Sequence, residues 1–153
     1  MMTESGLPEW LPAEYARLPI CEFAFPGELR ERLIAAIHDG RKTTTSSLLV
    51  EYELVGEPLP AIGDRELVID SGGQPVAVIE ITEVRMIPVG ACDLQHALDE
   101  GEGFHSIQEW RRAHEQFWHS EDFRTSIGLP GFMITDQAEM VAVRLRMVAD
   151  LRR

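Results

Sequence analysis

Two runs rich in β-forming residues, 65–70 (RELVID) and 75–84 (PVAVIEITEV), are separated only by Ser71-Gly72-Gly73-Gln74, and this pair constrains the fold more than any other stretch. A short loop with adjacent glycines is the composition of a hairpin connection, so the runs are expected to pair antiparallel. Residues 86–89 extend or follow the second run. A further strand is expected at 140–148, where Val141, Val143, Leu145 and Met147 alternate with Ala142, Arg144 and Arg146 in the period of a half-exposed strand.

Helical patterns lie between these strands. Leu29, Leu33, Ala36 and Ile37 recur at helical spacing over 28–39, with Gly40 at the expected C-cap. Ser46 or Ser47 is expected to cap a short helix through Leu48, Leu49, Tyr52 and Leu54, closed by Gly56 and Pro58. A second short helix over 92–100 would end at Gly101. Ser106-Ile107-Gln108-Glu109 has capping-box spacing and predicts a long helix with Ile107, Trp110, His114, Phe117 and Trp118 on one side. Residues 1–19 read as a helical arm packed on the body, with a helix from about Pro12, and 20–153 as the domain itself. A brief strand is expected at 20–24. Strands at both ends with helices between them indicate an α+β fold, a small mixed sheet or partial barrel and not a doubly wound one.

A chain of 153 residues with 44% hydrophobic side chains suffices for one core without staples. Cys21 and Cys92 form no CxxC or Cys/His pattern and read as reduced thiols. The amino terminus lacks a basic patch followed by an apolar run, and no stretch approaches the ~20 apolar residues of a membrane span. A cytoplasmic protein with no membrane partner is expected. The net charge of −12 opposes adhesion to phosphate backbones and argues against duplex DNA. A local basic cleft would favour a short single strand or a nucleoside-sized ligand.

Chemistry concentrates in the segment GRKTTTSS. Residues 41–47 place two cations and five hydroxyls in succession directly after a helix stop. Lysine offers a point charge, arginine a planar fork, and hydroxyls complete the bonds of a polar ligand. The Walker pattern GxxxxGK[ST] is absent. Composition alone balances a ligand site against a polar strand. The acidic run Asp99-Glu100-Gly101-Glu102-Gly103 is balanced likewise between a solvated loop and a catalytic one, and its glycines would let the backbone approach a ligand. The histidines form no HExxH, so no metal-ligand set is assigned, and His114 reads as a packing residue beside Trp110.

Gly40-Arg41-Lys42-Thr43-Thr44-Thr45, followed by Leu48-Leu49-Val50-Glu51-Tyr52, Gly56-Glu57-Pro58-Leu59-Pro60, Ile62-Gly63-Asp64, Glu100-Gly101-Glu102-Gly103, Trp110-Arg111 and His114, resembles the ASCH family. The resemblance spans residues 23–118. It implies a PUA-like fold, a small mixed β-barrel with surrounding helices, and a hydrolase acting on single-stranded RNA or on a modified nucleoside. Family members include ribonucleases and amidohydrolases that deacetylate N4-acetylcytidine. In the amidohydrolase branch a lysine, a threonine three residues later and a downstream glutamate cooperate, which here are Lys42, Thr45 and Glu102, with Glu100 the competitor for the last place. Ser47 stands where that branch has arginine, and this points toward the ribonuclease branch, in which Lys42 and Arg41 would hold the scissile phosphate. Arg41, Thr43, Ser46, Ser47, Tyr52 and Arg111 are the expected substrate-binding residues. No cofactor is expected, and the resemblance leaves a divalent metal open. The alternative is a non-catalytic RNA-binding module.

Overall fold

The computed structural model describes residues 6–153, so the first five residues of the expected arm lie outside it. The remainder of that arm holds α1 (Ala13–Ala16), which starts after Pro12 as expected. Leu7 and Leu11 are buried against Leu67 and Val78, whereas Trp10 stays exposed under the guanidinium of Arg153.

Among the described residues, five strands form one sheet in the order β1-β3-β4-β5-β2. They are β1 (Ile20–Cys21), β2 (Thr44–Leu48), β3 (Arg65–Ile69), β4 (Pro75–Pro88) and β5 (Glu139–Asp150). The hairpin β3/β4 is antiparallel as its loop composition predicts, and β1 pairs parallel with β3. The expected barrel does not close, because β1 and β2 remain as edges. The pairing of β4 with β5 instead carries register shifts at Val78/Ile79, where Val148 of β5 is the extra residue, and at Ile81/Glu83, where Thr82 of β4 is. Each extra residue locally raises the twist and curls an open sheet.

The alternation in β5 sorts its side chains between two cores. Val141, Val143 and Leu145 join Leu33, Ile34, Ile37, Val68 and Ile79 beneath α2 (Glu28–His38). Met140 and Ala142 face the other way, with Leu48, Trp110, Trp118 and Phe123. The strand is therefore covered on both faces over Met140 to Val143, not half-exposed as its pattern suggests. Ala142 is small enough to serve either reading, so the pattern could not decide.

The second core lies under α4 (Leu94–Asp99), α5 (Ile107–Trp118) and α6 (Glu121–Ile127). Ser106 caps α5 by accepting from the Glu109 amide at 3.1 Å, while Glu109 reaches back one residue further than expected, to the His105 amide at 2.7 Å. Ser120 caps the unanticipated α6 by accepting from Phe123. The expected cap at Ser46 or Ser47 does not form. Both belong to β2, and α3 (Leu49–Val55) begins only after Leu48, whose amide donates to the Glu51 carboxylate at 2.7 Å. Five consecutive hydroxyls gave no signal for where extended chain stops.

Candidate functional site

Lys42 enters the site through two backbone devices. Gly40 leaves α2 with φ +83°, and the Lys42 amide then donates to Ala36 O at 3.0 Å. Gly101 turns the end of α4 back onto the same segment with φ +74°. A β-carbon there would sit 2.7 Å from Lys42 N and 2.8 Å from Arg41 C and O, so only glycine permits this approach. The Thr43 amide donates to Asp99 O at 2.8 Å and ties the two segments together. The glycine next to Glu102 thus serves contact with the protein's own backbone, not with a ligand.

Alternation along β2 turns Thr44 and Ser46 toward α4. Thr44 Oγ1 donates to His96 O at 2.8 Å, and Ser46 Oγ lies 2.7 Å from His96 Nε2 and 3.0 Å from Glu100 Oε2. Thr45 and Ser47 line an open groove on the other side, where Ser47 Oγ and Tyr52 Oη are 2.9 Å apart. A smaller cavity of about 100 Å³ shares wall residues with this groove. Its walls include Lys42, Thr45, Ser46, Glu100, Glu102 and His114, and it shares Phe23, Thr45, Ser46 and Trp118 with the groove.

Glu100 is 2% exposed and fully engaged. Its Oε2 accepts from Ser46 and from Trp110 Nε1, and its Oε1 faces His114 Nε2 at 3.1 Å. His114 Nδ1 lies 2.8 Å from Trp110 O, and a carbonyl only accepts, so that nitrogen carries a proton. With a carboxylate at the other nitrogen, the ring is an imidazolium. Because Ser46 spends its proton on Glu100, His96 Nε2 must donate to Ser46. Burial alone would raise the Glu100 carboxyl, but the His114 charge and hydrogen bond, with Lys42 and Trp110, hold it at about 2. Burial opposes protonation of His114, but the Glu100 charge and hydrogen bond outweigh it and raise the imidazole above its usual 6.5.

This pair has a pH signature. Its stabilisation is present above the ordinary glutamate value of 4.5 and fades in acid as pH falls toward about 2. It also persists below 6.5 and is lost as pH rises through the raised value of His114. Urea midpoints measured across pH should therefore be highest between those limits, and His114→Gln should flatten the alkaline decline. A decline unchanged in that variant would assign it to other groups.

Lys42 is 2% exposed, and its Nζ donates to Thr44 O at 2.8 Å and to Glu100 O at 3.4 Å, 5.6 Å from the Phe23 ring centroid. Burial lowers its amine below the usual 10.5, against the opposing pull of Glu100 and Glu102. Burial, reinforced by the Glu100 charge, raises Glu102 above 4.5. Among the described residues Glu102 makes no side-chain hydrogen bond. Lys42, Thr45 and Glu102 thus line one cavity, yet none of the three hydrogen-bonds another.

The other expected site residues divide. Ser46, Ser47 and Tyr52 line the groove. Arg41 does not: it is exposed and bound to Asp39, with Nε 2.8 Å from Oδ2. Thr43 faces Arg144 and Asp99, away from both hollows. Arg111 pairs with Glu115 at 2.9 Å and Asp136 at 2.7 Å on another face of α5. These three do not gather around a ligand at Lys42. Conversely, His96 and His114 belong to the site although their spacing carried no metal or catalytic pattern, and Glu100, the competitor of Glu102, lies buried at its centre.

Ligand atoms of Glu100, Glu102 and His114 lie within 4.8 Å of one another, a grouping the sequence did not reveal. To ligate a metal, His114 Nε2 would have to give up the proton it shares with Glu100, while Nδ1–H stays on Trp110 O as the orienting bond of a ligating histidine. With that proton in place the residues form an ion pair beside the Glu102 carboxyl.

The fold and site together define an α+β domain with a buried, charged pocket beside an edge strand. A sequence model of the ASCH domain matches residues 20–149, and the chain belongs to that family. No curated protein matches the chain significantly. Among solved structures, an ASCH domain from Lactobacillus crispatus JV V101 is similar with a TM-score of 0.74 at 24% identity, covering 94% of this chain and 87% of that one. A protein from Enterococcus faecalis V583 is similar with the same score and identity, over 85% of this chain and 76% of that one. These likenesses carry the fold. Among the described residues, no helix is long and apolar enough to cross a membrane.

Proposed function

We propose that the protein hydrolyses an amide bond in an acylated, nucleoside-sized substrate, with Lys42 as general base, Thr45 as nucleophile and Glu102 as general acid. The observation that carries this reading is the convergence of all three on one small cavity, with burial shifting the amine down and the carboxyl up. Opposite shifts on neighbouring groups suit a base and an acid working together near neutral pH. Ribonuclease chemistry has less support, because of the two cations expected to hold the scissile phosphate only Lys42 lines the cavity, while Arg41 is bound to Asp39 outside it, and the further substrate-binding candidate Arg111 is bound to Glu115 and Asp136.

In the reaction, the Lys42 amine takes the Thr45 hydroxyl proton as Oγ1 attacks the amide carbon. The tetrahedral intermediate collapses when Glu102 protonates the departing nitrogen, leaving an acyl-threonine ester. Water then attacks the ester and gives its proton to the Glu102 carboxylate, while the Lys42 ammonium returns a proton to Oγ1. The acid is released and every group is restored. Substrate must bring the three groups into contact, as hydrogen bonds in ligand-free sites commonly tighten on binding.

Incubation with N4-acetylcytidine should release cytidine, and single-stranded RNA should remain intact. Activity should survive EDTA, since no step uses a metal. RNA cleavage with the acylated nucleoside untouched would overturn the reading, and RNA binding with turnover of neither would select the binding module.

A further inference from the structure

The groove that shares Thr45 with the cavity has a volume of about 920 Å³, far more than the amide needs, so it would hold the rest of the substrate. Among the described residues its lining has one cation, Arg65, whose guanidinium is spent on Glu80 with Nε 2.9 Å from Oε2, and five carboxylates. Two have structural tasks: Glu51 accepts from the Leu48 amide at 2.7 Å, and Asp64 accepts from the Ala61 amide at 2.9 Å. Glu22, Glu57 and Glu66 make no side-chain hydrogen bond among the described residues. Burial, then the charges of Asp64 and Glu57, raise the Glu66 carboxyl above 4.5, a sign of crowded negative charge. The chain as a whole carries −12.

We infer that Glu57 and Glu66 set substrate specificity by charge, favouring an amide substrate whose portion remote from the scissile bond is positively charged and rejecting one that is phosphorylated there. The inference rests on the amidohydrolase reading above. A groove lined by one sign of charge with apolar walls focuses its field on the ligand path, and here Phe25, Tyr52 and Phe117 supply those walls. A phosphate would meet carboxylates with no free cation, whereas an ammonium would relieve their repulsion.

Three N4-acetylcytidines test this, identical at the amide and carrying an amine, the natural hydroxyl or a phosphate ester at the primary position of the sugar. The expected kcat/KM order is amine, then hydroxyl, then phosphate, with about tenfold or more between the extremes at low salt. The double variant Glu57→Gln/Glu66→Gln, which leaves Lys42, Thr45 and Glu102 in place, should compress that ratio toward one, as should added salt. Equal turnover of all three, or a ratio unchanged in the double variant, overturns charge selection while the hydrolase reading stands. If none of the three is hydrolysed, the hydrolase reading itself fails.

Discussion

Gly101→Ala should destabilise the protein by roughly 3 kcal/mol or more, near the severe end for a single substitution. Two costs combine. An L-residue in the left-handed region loses about 1–2 kcal/mol relative to glycine, and φ at this position is +74°. The added β-carbon would also stand 2.7–2.8 Å from backbone atoms of Arg41 and Lys42, which cannot swing aside as a side chain can. Relief requires the acidic loop to lift from β2, breaking the bond from the Thr43 amide to Asp99 O and separating Glu100 and Glu102 from Lys42. Gly103→Ala is the control. Its φ is +86°, but nothing lies within 4 Å of the point a β-carbon would occupy, so only the conformational cost applies. Urea denaturation of both variants checks this, and equal losses would contradict the close-approach argument.

Lys42→Met should lower kcat/KM for N4-acetylcytidine by about 10²–10⁴-fold, the usual contribution of a positioned general base. Methionine fills similar volume but leaves Thr44 O and Glu100 O without their donor, so a loss of about 1–3 kcal/mol in stability is expected as well. Lys42→Arg should fail to restore activity, because a guanidinium keeps its proton at any working pH and cannot act as base. Circular dichroism separates the two effects: a folded but inactive Met variant supports the assignment. Rescue by arginine would mean that charge alone matters and would favour ligand binding over base catalysis.

Much of the fold was legible because local chemistry and tertiary need agree. The glycine loop between β3 and β4, the Ser106 cap and the glycines after α2 and α4 each have one good local solution. Closure of the sheet was not legible, since it depends on where the register of β4 and β5 shifts and how edges meet. Nor was the end of β2, because Ser46 and Ser47 suit a helix cap and an extended strand equally. At the site, the cations and hydroxyls of residues 41–47 stood out as a group leaving a helix, and the resemblance to ASCH sequences singled out Lys42 and Thr45 among them. Their partners did not stand out. Glu100 and Glu102 look alike in an acidic run, and only the fold shows that Glu100 is bound by Ser46, Trp110 and His114 while Glu102 is not. His114 reads as packing from its helical face. Stacking on Trp110, with ring centroids 4.4 Å apart, makes that half true, but its Nε2 reaches a carboxylate that sequence spacing does not place there. Arg41 and Arg111 misled because sequence gives a cation's position and not its counterion.

The most direct test of the acyl-transfer account is rapid acid quenching of the protein with N4-acetylcytidine, followed by peptide mass spectrometry. The account predicts a transient acetyl group on Thr45, absent in Thr45→Ala and in Lys42→Met, appearing together with free cytidine. Release of cytidine by Thr45→Ala at the wild-type rate, with no adduct on Thr45 in the wild type, would contradict it.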